Sequence, residues 1–245
     1  MSSSSKPILK IFDNDTTVSE KVCDFVTEIA NQAIKERGVF TVGLSGGSVS
    51  KFLCNGLPSK TTDWSKWRVF FCDERHVPFD DPECTYTIYE KGLMSKVPLS
   101  KEHVYADDPT ISVSQAAERY VKILQSVFGE QLPRFDLLIL GMGPDGHTCS
   151  LFPGHALLKE DKVWVAPISD SPKPPPQRIT LTFPVIQNSR NAVFVSCGSG
   201  KADMVQRVLE GKENPPLPAS IVRPHSGDLY WFLDQGAAAK LANKL

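Results

Sequence analysis

The 245-residue chain lacks several features that would each point to a class outright. Its six cysteines, at positions 23, 54, 72, 84, 149 and 197, include no C-x-x-C pair. Neither a disulfide framework nor a zinc site is therefore expected, and scattered thiols fit a reducing cytosol. No window approaches the roughly 20 apolar residues needed to cross a bilayer. The opening Met-Ser-Ser-Ser-Ser-Lys-Pro has no apolar segment of the kind a secretory signal carries. Residues 1–6 are read as a disordered tail and 7–245 as one large domain of a cytoplasmic protein, whose folding buries roughly 70–75% of the unfolded surface. Net charge is −1, with 27 basic and 28 acidic residues. That leaves no global field to draw the chain to nucleic acid or to an anionic membrane. Internal repeats and low-complexity tracts are also missing.

What is present is an alternation of strand-like and helix-like segments along almost the whole chain. It predicts an α/β fold, a Rossmann-like, doubly wound and mostly parallel sheet with helices on both faces. Strands are expected at 8–12, 39–44, 67–72, 163–168, 178–182, 192–197 and 229–233. The run Leu137 to Leu140 is continuously apolar, as a parallel strand buried on both faces requires. Thr17-Val-Ser-Glu20 resembles a capping box, and Val18, Val22, Phe25, Val26, Ile29, Ala33 and Ile34 keep helical spacing up to Gly38. Further helices are predicted after Ser48 to near Pro58, and over 85–96, 113–128, 202–210 and 235–244.

Four strand ends carry polar groups suited to chemistry. The run from Leu137 ends in Gly141-Met-Gly-Pro-Asp-Gly-His147, which delivers Asp145 and His147 side by side. Loops beyond the carboxyl ends of parallel strands are where open α/β sheets bind ligands. An imidazole with an ordinary pKa near 6.5 suits general-base work there. Asp145 either orients that imidazole or makes an Asx turn. His76, His103, His155 and His225 lack such a setting and are read as surface or structural.

Ser45-Gly46-Gly47-Ser48 follows a strand and opens a helix, so its backbone N–H groups and hydroxyls form an anion site. Gly198-Ser-Gly-Lys201 repeats the pattern with a cation attached. Neither loop has Walker A spacing or the G-x-G-x-x-G dinucleotide fingerprint. Asp73-Glu74-Arg75 closes another strand. Asp73 is expected to point into a cleft, Arg75 suits bidentate phosphate contact, and Glu74 faces structure or solvent. A competing reading exists: Gly43-Leu-Ser45-Gly-Gly47 satisfies the G-x-S-x-G of a nucleophile elbow, and Asp73 and His147 follow in hydrolase order. The adjacent glycines and the second serine suit an anion cradle better than a strained elbow.

Together these residues resemble the 6-phosphogluconolactonase family, within a larger group that includes glucosamine-6-phosphate deaminase and ribose-5-phosphate isomerase. The matching pieces are Leu44-Ser-Gly-Gly-Ser48, Asp73-Glu-Arg75, Gly141-x-Gly-x-Asp-Gly-His-Thr148 with Ser150-Leu-Phe-Pro-Gly154, Arg178-Ile-Thr180, Gly198-x-x-Lys201 and Pro218-Ala-Ser220. The deaminases continue after Gly-His with an Asn-Glu-Pro stretch, where this chain has Leu151-Phe152-Pro153. The missing acidic residue favours the lactonases. The resemblance implies hydrolysis of 6-phospho-D-glucono-1,5-lactone without metal or organic cofactor. It implies His147 as base with Asp73 or Asp145 tuning it. Phosphate would lie on Ser45, Gly46, Gly47, Ser48, Arg75 and Lys201, and Arg178 would face either phosphate or oxyanion. The expected partner is that phosphorylated lactone alone, and the expected state a monomer or weak homodimer. A deaminase-like isomerase, a serine esterase using Ser45 and a non-catalytic sugar-phosphate sensor are the alternatives.

Overall fold

Leu137–Leu140 is buried at every position, and so is Phe40–Leu44. Two fully apolar strands side by side need cover on both faces, and the surrounding chain supplies it. The computed structural model describes residues 6–242. In chain order the elements are β1 (Ile8–Phe12), α1 (Asp15–Arg37), β2 (Phe40–Leu44), α2 (Ser48–Gly56), β3 (Trp67–Phe71) and β4 (Asp73–Arg75). Then follow α3 (Thr85–Gly92), α4 (Val113–Phe128), β5 (Leu137–Leu140), β6 (Val165–Ile168), β7 (Arg178–Leu181) and α5 (Phe183–Gln187). The chain ends with β8 (Asn191–Ser196), α6 (Ala202–Glu210), α7 (Pro218–Ile221) and β9 (Asp228–Asp234).

Six strands form one parallel sheet in the order β1-β9-β8-β5-β2-β3. Period-two alternation sends Leu138 and Leu140 of β5 into one core and Leu137 and Ile139 into another. The first core holds the buried faces of α4 and α6, including Tyr120, Leu124, Val205 and Val208. The second holds α1, α2 and α3, through Val22, Leu53 and Tyr89. The doubly wound parallel sheet with helices on both faces is thus what the sequence pattern indicated.

A second sheet was not expected. β4, β7 and β6 form a three-stranded antiparallel layer. The chain leaves the large sheet at Cys72, whose carbonyl accepts the Leu181 N–H at 2.8 Å, and enters the small one as β4. Three local expectations also change. α1 starts at Asp15 with Asn14 as its cap, its side chain accepting the Thr17 N–H, so Thr17-to-Glu20 is the first turn and not a capping box. The helix expected over 85–96 ends at Gly92, followed by a short 3-10 turn at Met94–Lys96. The helix expected over 235–244 is a series of turns through residue 240, and its positions 243 and 244 lie outside the described residues. There the Asp234 carboxylate holds the Ala237 N–H at 2.7 Å, which competes with helical continuation. The expected tail at 1–6 lies outside the described residues except for Lys6, an exposed position.

Candidate active site

In this strand order the chain winds outward from β2 to β3 and later returns on the other side of β2 through β5, β8 and β9. The reversal falls between β2 and β5, and such switch points open a crevice at the carboxyl ends of the strands. A cavity of about 190 Å³ lies there. Its wall includes Ser45, Gly46, Gly47 and Ser48 after β2, Asp73 and Arg75 on β4, His147 after β5, Arg178 on β7 and Lys201 before α6. Asp145 stands behind His147, outside the wall.

The loop after β2 is shaped for an anion. Gly47 has φ of 66°, a left-handed value that disfavours side chains, and it caps α2 without any side-chain hydrogen bond. The N–H groups of Gly46 and Gly47 have no partner among the described residues. The Ser45 Oγ is also unpartnered although buried, while the Ser45 carbonyl accepts the Tyr89 hydroxyl at 2.8 Å. Unused donors at a helix N-terminus form an anion site. A serine nucleophile would instead need a histidine on its hydroxyl. No bond from Ser45 to His147 is present, and the esterase reading loses its central contact.

The loop after β8 is different. The Asp234 carboxylate at the end of β9 takes the Gly198 N–H at 2.9 and 3.0 Å, so that amide is not available to a ligand. What this loop contributes is Lys201, whose ammonium donates to the Met142 carbonyl at 2.8 Å. Burial, together with nearby Lys173, pushes that ammonium below the usual lysine range, and Asp145 opposes them.

The small sheet supplies the charged wall. Alternation along β4 puts Asp73 and Arg75 on the cavity side. Glu74 faces the other way, and its buried carboxylate accepts the N–H groups of Arg75, Thr85 and Tyr86 at 2.7–2.8 Å. Burial pushes the Glu74 carboxyl up to about 7. Arg75 pairs in register with Arg178 on β7, and both residues line the cavity. Arg75 also bonds the exposed Glu83 carboxylate at 2.7 Å. Asp73 accepts the Ser150 hydroxyl at 2.7 Å and lies 4.0 Å from Arg178 Nη1. With Lys201, the wall carries three cations against the single carboxylate of Asp73, which favours an anionic ligand.

His147 rests on its own loop. A Cβ at Gly143 would lie 2.0 Å from the imidazole, so only glycine lets the ring fold back over the backbone. The Phe152 ring packs on the imidazole at 4.6 Å. His147 Nδ1 meets Asp145 Oδ1 at 2.5 Å. That partner assigns the ring proton to Nδ1 and leaves Nε2 as the unprotonated nitrogen. Burial pushes the imidazole below its usual value, opposed chiefly by Asp145. Asp73 makes no hydrogen bond to His147; the carboxylate that orients the ring is Asp145. Although Gly141-Met-Gly-Pro-Asp-Gly146 spells G-x-G-x-x-G after a strand, turns follow it and no helix, so the dinucleotide geometry is missing.

Three contributors escaped sequence reasoning. Cys149 lines the cavity with φ of 50°. Ser150 links Asp73 to Arg178, whose Nη1 lies 3.5 Å from its hydroxyl. Lys173 reaches Asp145 from the loop between β6 and β7. The Ser150–Asp73 and Lys173–Asp145 contacts join positions far apart in the chain and have no local signature.

A parallel α/β sheet that sets an anion cradle against an Asp–His pair at its switch point defines an enzyme of phosphorylated small molecules. The chain belongs to the glucosamine-6-phosphate isomerase/6-phosphogluconolactonase family, whose model matches residues 13–231. It is 46% identical to human 6-phosphogluconolactonase over 241 residues, covering 96% of this chain and 93% of that protein. The solved 6-phosphogluconolactonase of Trypanosoma brucei superposes with a TM-score of 0.87 at 27% identity, over 97% of this chain and 99% of that one. A monomeric glucosamine-6-phosphate deaminase also superposes, with a TM-score of 0.77 at 18% identity over 96% and 100% of the two chains, a likeness of fold alone.

Proposed function

We propose that this chain hydrolyses 6-phospho-D-glucono-1,5-lactone to 6-phospho-D-gluconate, a step of the oxidative pentose phosphate pathway, with His147 as general base. The observation that carries this is a cavity lined by both Gly46 and Gly47, whose N–H groups have no partner among the described residues, and His147. The phosphate sits on the Ser45-to-Ser48 loop with Arg75 and Lys201. Anchoring the far end of the substrate makes attack at C1 effectively unimolecular. His147 Nε2 takes a proton from water as its oxygen bonds to C1. The tetrahedral intermediate then breaks the bond from C1 to the ring oxygen, and the protonated imidazole returns its proton to that oxygen. A lactone is an activated ester, so one base and one positioned water suffice. Asp73 acts from the wall, holding Ser150 and Arg178 and adding negative charge near the imidazole.

Six free cysteines, five of them buried, fit a reducing cytoplasm. The test is acid release from freshly generated 6-phosphogluconolactone, corrected for spontaneous hydrolysis. A parallel assay for ammonia from glucosamine-6-phosphate should stay blank. Ammonia release without acid release would replace the lactonase reading by the deaminase one.

A further inference from the structure

The loop between β6 and β7 holds Lys173 among prolines, and its backbone is tied on both sides. Ser171 Oγ donates to the Lys173 carbonyl at 2.8 Å and accepts the Lys173 N–H at 3.2 Å. Arg178 donates to three successive carbonyls, those of Lys173 (3.2 Å), Pro174 (2.9 Å) and Pro175 (3.0 Å). The guanidinium thus gives Nε and Nη2 to the loop and keeps only Nη1 toward Ser150 and Asp73. A buried arginine used in this way fixes where the next side chain is delivered. Lys173 Nζ lies 3.7 Å from Asp145 Oδ2, and Asp145 Oδ1 is the oxygen that holds His147.

We propose that Lys173 is a positioning residue of the lactonase reaction, the outer member of a chain Lys173–Asp145–His147 that fixes the Asp145 carboxylate against the imidazole, with Arg178 as its anchor. It rests on the reading of His147 as the base. Asp145 is about one-third exposed, so its carboxylate needs a second partner to keep one oxygen on the ring. An ordinary surface pair of this kind contributes about 0–1 kcal/mol to stability. Stability is therefore the wrong readout, and the state of the imidazole is the right one.

The groups that face His147 are Asp145 on its own loop, Asp73 on β4 and Lys173 on the β6–β7 loop, with Arg178 and Lys201 on the same cavity wall. Asp145 and Asp73 favour the charged imidazole and Lys173 opposes it. Removing the Lys173 charge alone would raise the His147 titration midpoint, but releasing the Asp145 carboxylate, the stronger influence on the ring, lowers it by more, so loss of the positioning contact should lower the midpoint.

The experiment is an NMR titration of His147, its signal identified by loss in His147→Gln, in the wild type, Lys173→Gln and Lys173→Arg. Lys173→Gln should lower the midpoint by about 0.5–1 pH unit, the size expected when a carboxylate leaves direct contact in partly screened surroundings. Lys173→Arg should restore it. The acid limb of kcat/KM should move with it, equally for the phosphorylated lactone and for unphosphorylated gluconolactone. An unmoved or raised midpoint overturns the proposal, because Asp145 would then hold the ring without Lys173. So does a loss confined to the phosphorylated substrate, which would make Lys173 a phosphate contact. A midpoint that falls while the activity profile stays put sustains the Lys173–Asp145–His147 linkage and removes His147 from the role of base.

Discussion

Two loops of this protein share a pattern, apolar strand, then glycine and serine, then helix, yet they end in different states. After β2, the N–H groups of Gly46 and Gly47 are left open at the cavity. After β8, the Gly198 N–H is taken by Asp234, 36 positions later in the chain. A glycine loop fixes a backbone shape, but a distant carboxylate decides whether that shape can receive an anion. Glu74 shows the same effect at a third place. Its carboxylate occupies the Thr85 and Tyr86 N–H groups at the start of α3, which closes that helix end to ligands.

The largest expected effect leaves both loops intact. His147→Ala should lower kcat by roughly 10²–10⁴-fold, the usual worth of general acid–base catalysis. Binding of 6-phosphogluconate by calorimetry should be retained, since the open loop is untouched. Loss of binding together with turnover would mean that the anion cradle and the base are not separate parts.

The next effect tests the carboxylate that closes α3. The Glu74 carboxyl sits at about 7 in the folded protein against its usual 4.5, so the native state keeps a proton that the unfolded chain releases. Stability from that proton is complete below about pH 4.5 and is lost as pH rises through 7. Glu74→Gln cannot titrate. Its unfolding free energy relative to wild type should therefore improve by up to about 3 kcal/mol between pH 4.5 and 7, from 2.5 units at 1.36 kcal/mol each. Denaturant melts at the two pH values check this, and a constant difference would place the Glu74 titration elsewhere.

The smallest effects contrast the two loops directly. Gly47→Ala strains a left-handed residue and disturbs the open amides. KM for the phosphorylated lactone should rise about tenfold, matching the loss of one hydrogen bond to a charged group. Asp234→Asn should cost about 1 kcal/mol of stability, read as a lower melting temperature, with KM nearly unchanged. If both variants shift KM alike, the loops are not distinct in function.

The pattern of legibility follows the same physics. α4 and α6 begin and end where periodicity and flanking residues put them, because Ser112 closes a capping box with Gln115 and Gly211 stops α6. The β2 and β5 loops were readable because glycine, serine and histidine lie next to one another after apolar strands. The small sheet was not. Asp73-Glu-Arg75 has no apolar alternation, and its strand character comes from pairing with residues 178–180, about a hundred positions away. The 235–244 segment has helical composition, yet Asp234 and the buried packing of Ala237, Ala238 and Leu241 hold it as turns through residue 240. Lys173 lies 28 residues from Asp145, and only the fold of the β6–β7 loop brings them together. What escaped the sequence was long-range pairing of charged groups. What it carried was local shape and the composition of the cavity floor.

The central claim is that an unprotonated His147, held by Asp145 beside an open anion cradle, is the base. The direct measurement is the pH dependence of kcat/KM on freshly generated 6-phosphogluconolactone, corrected at each pH for spontaneous hydrolysis. Burial keeps the folded imidazole below its usual 6.5, so activity should be full at neutral pH and fall on acidification with a midpoint under 6.5, and His147→Gln should abolish that limb. An acid limb centred above 6.5, or one that survives in His147→Gln, would contradict it.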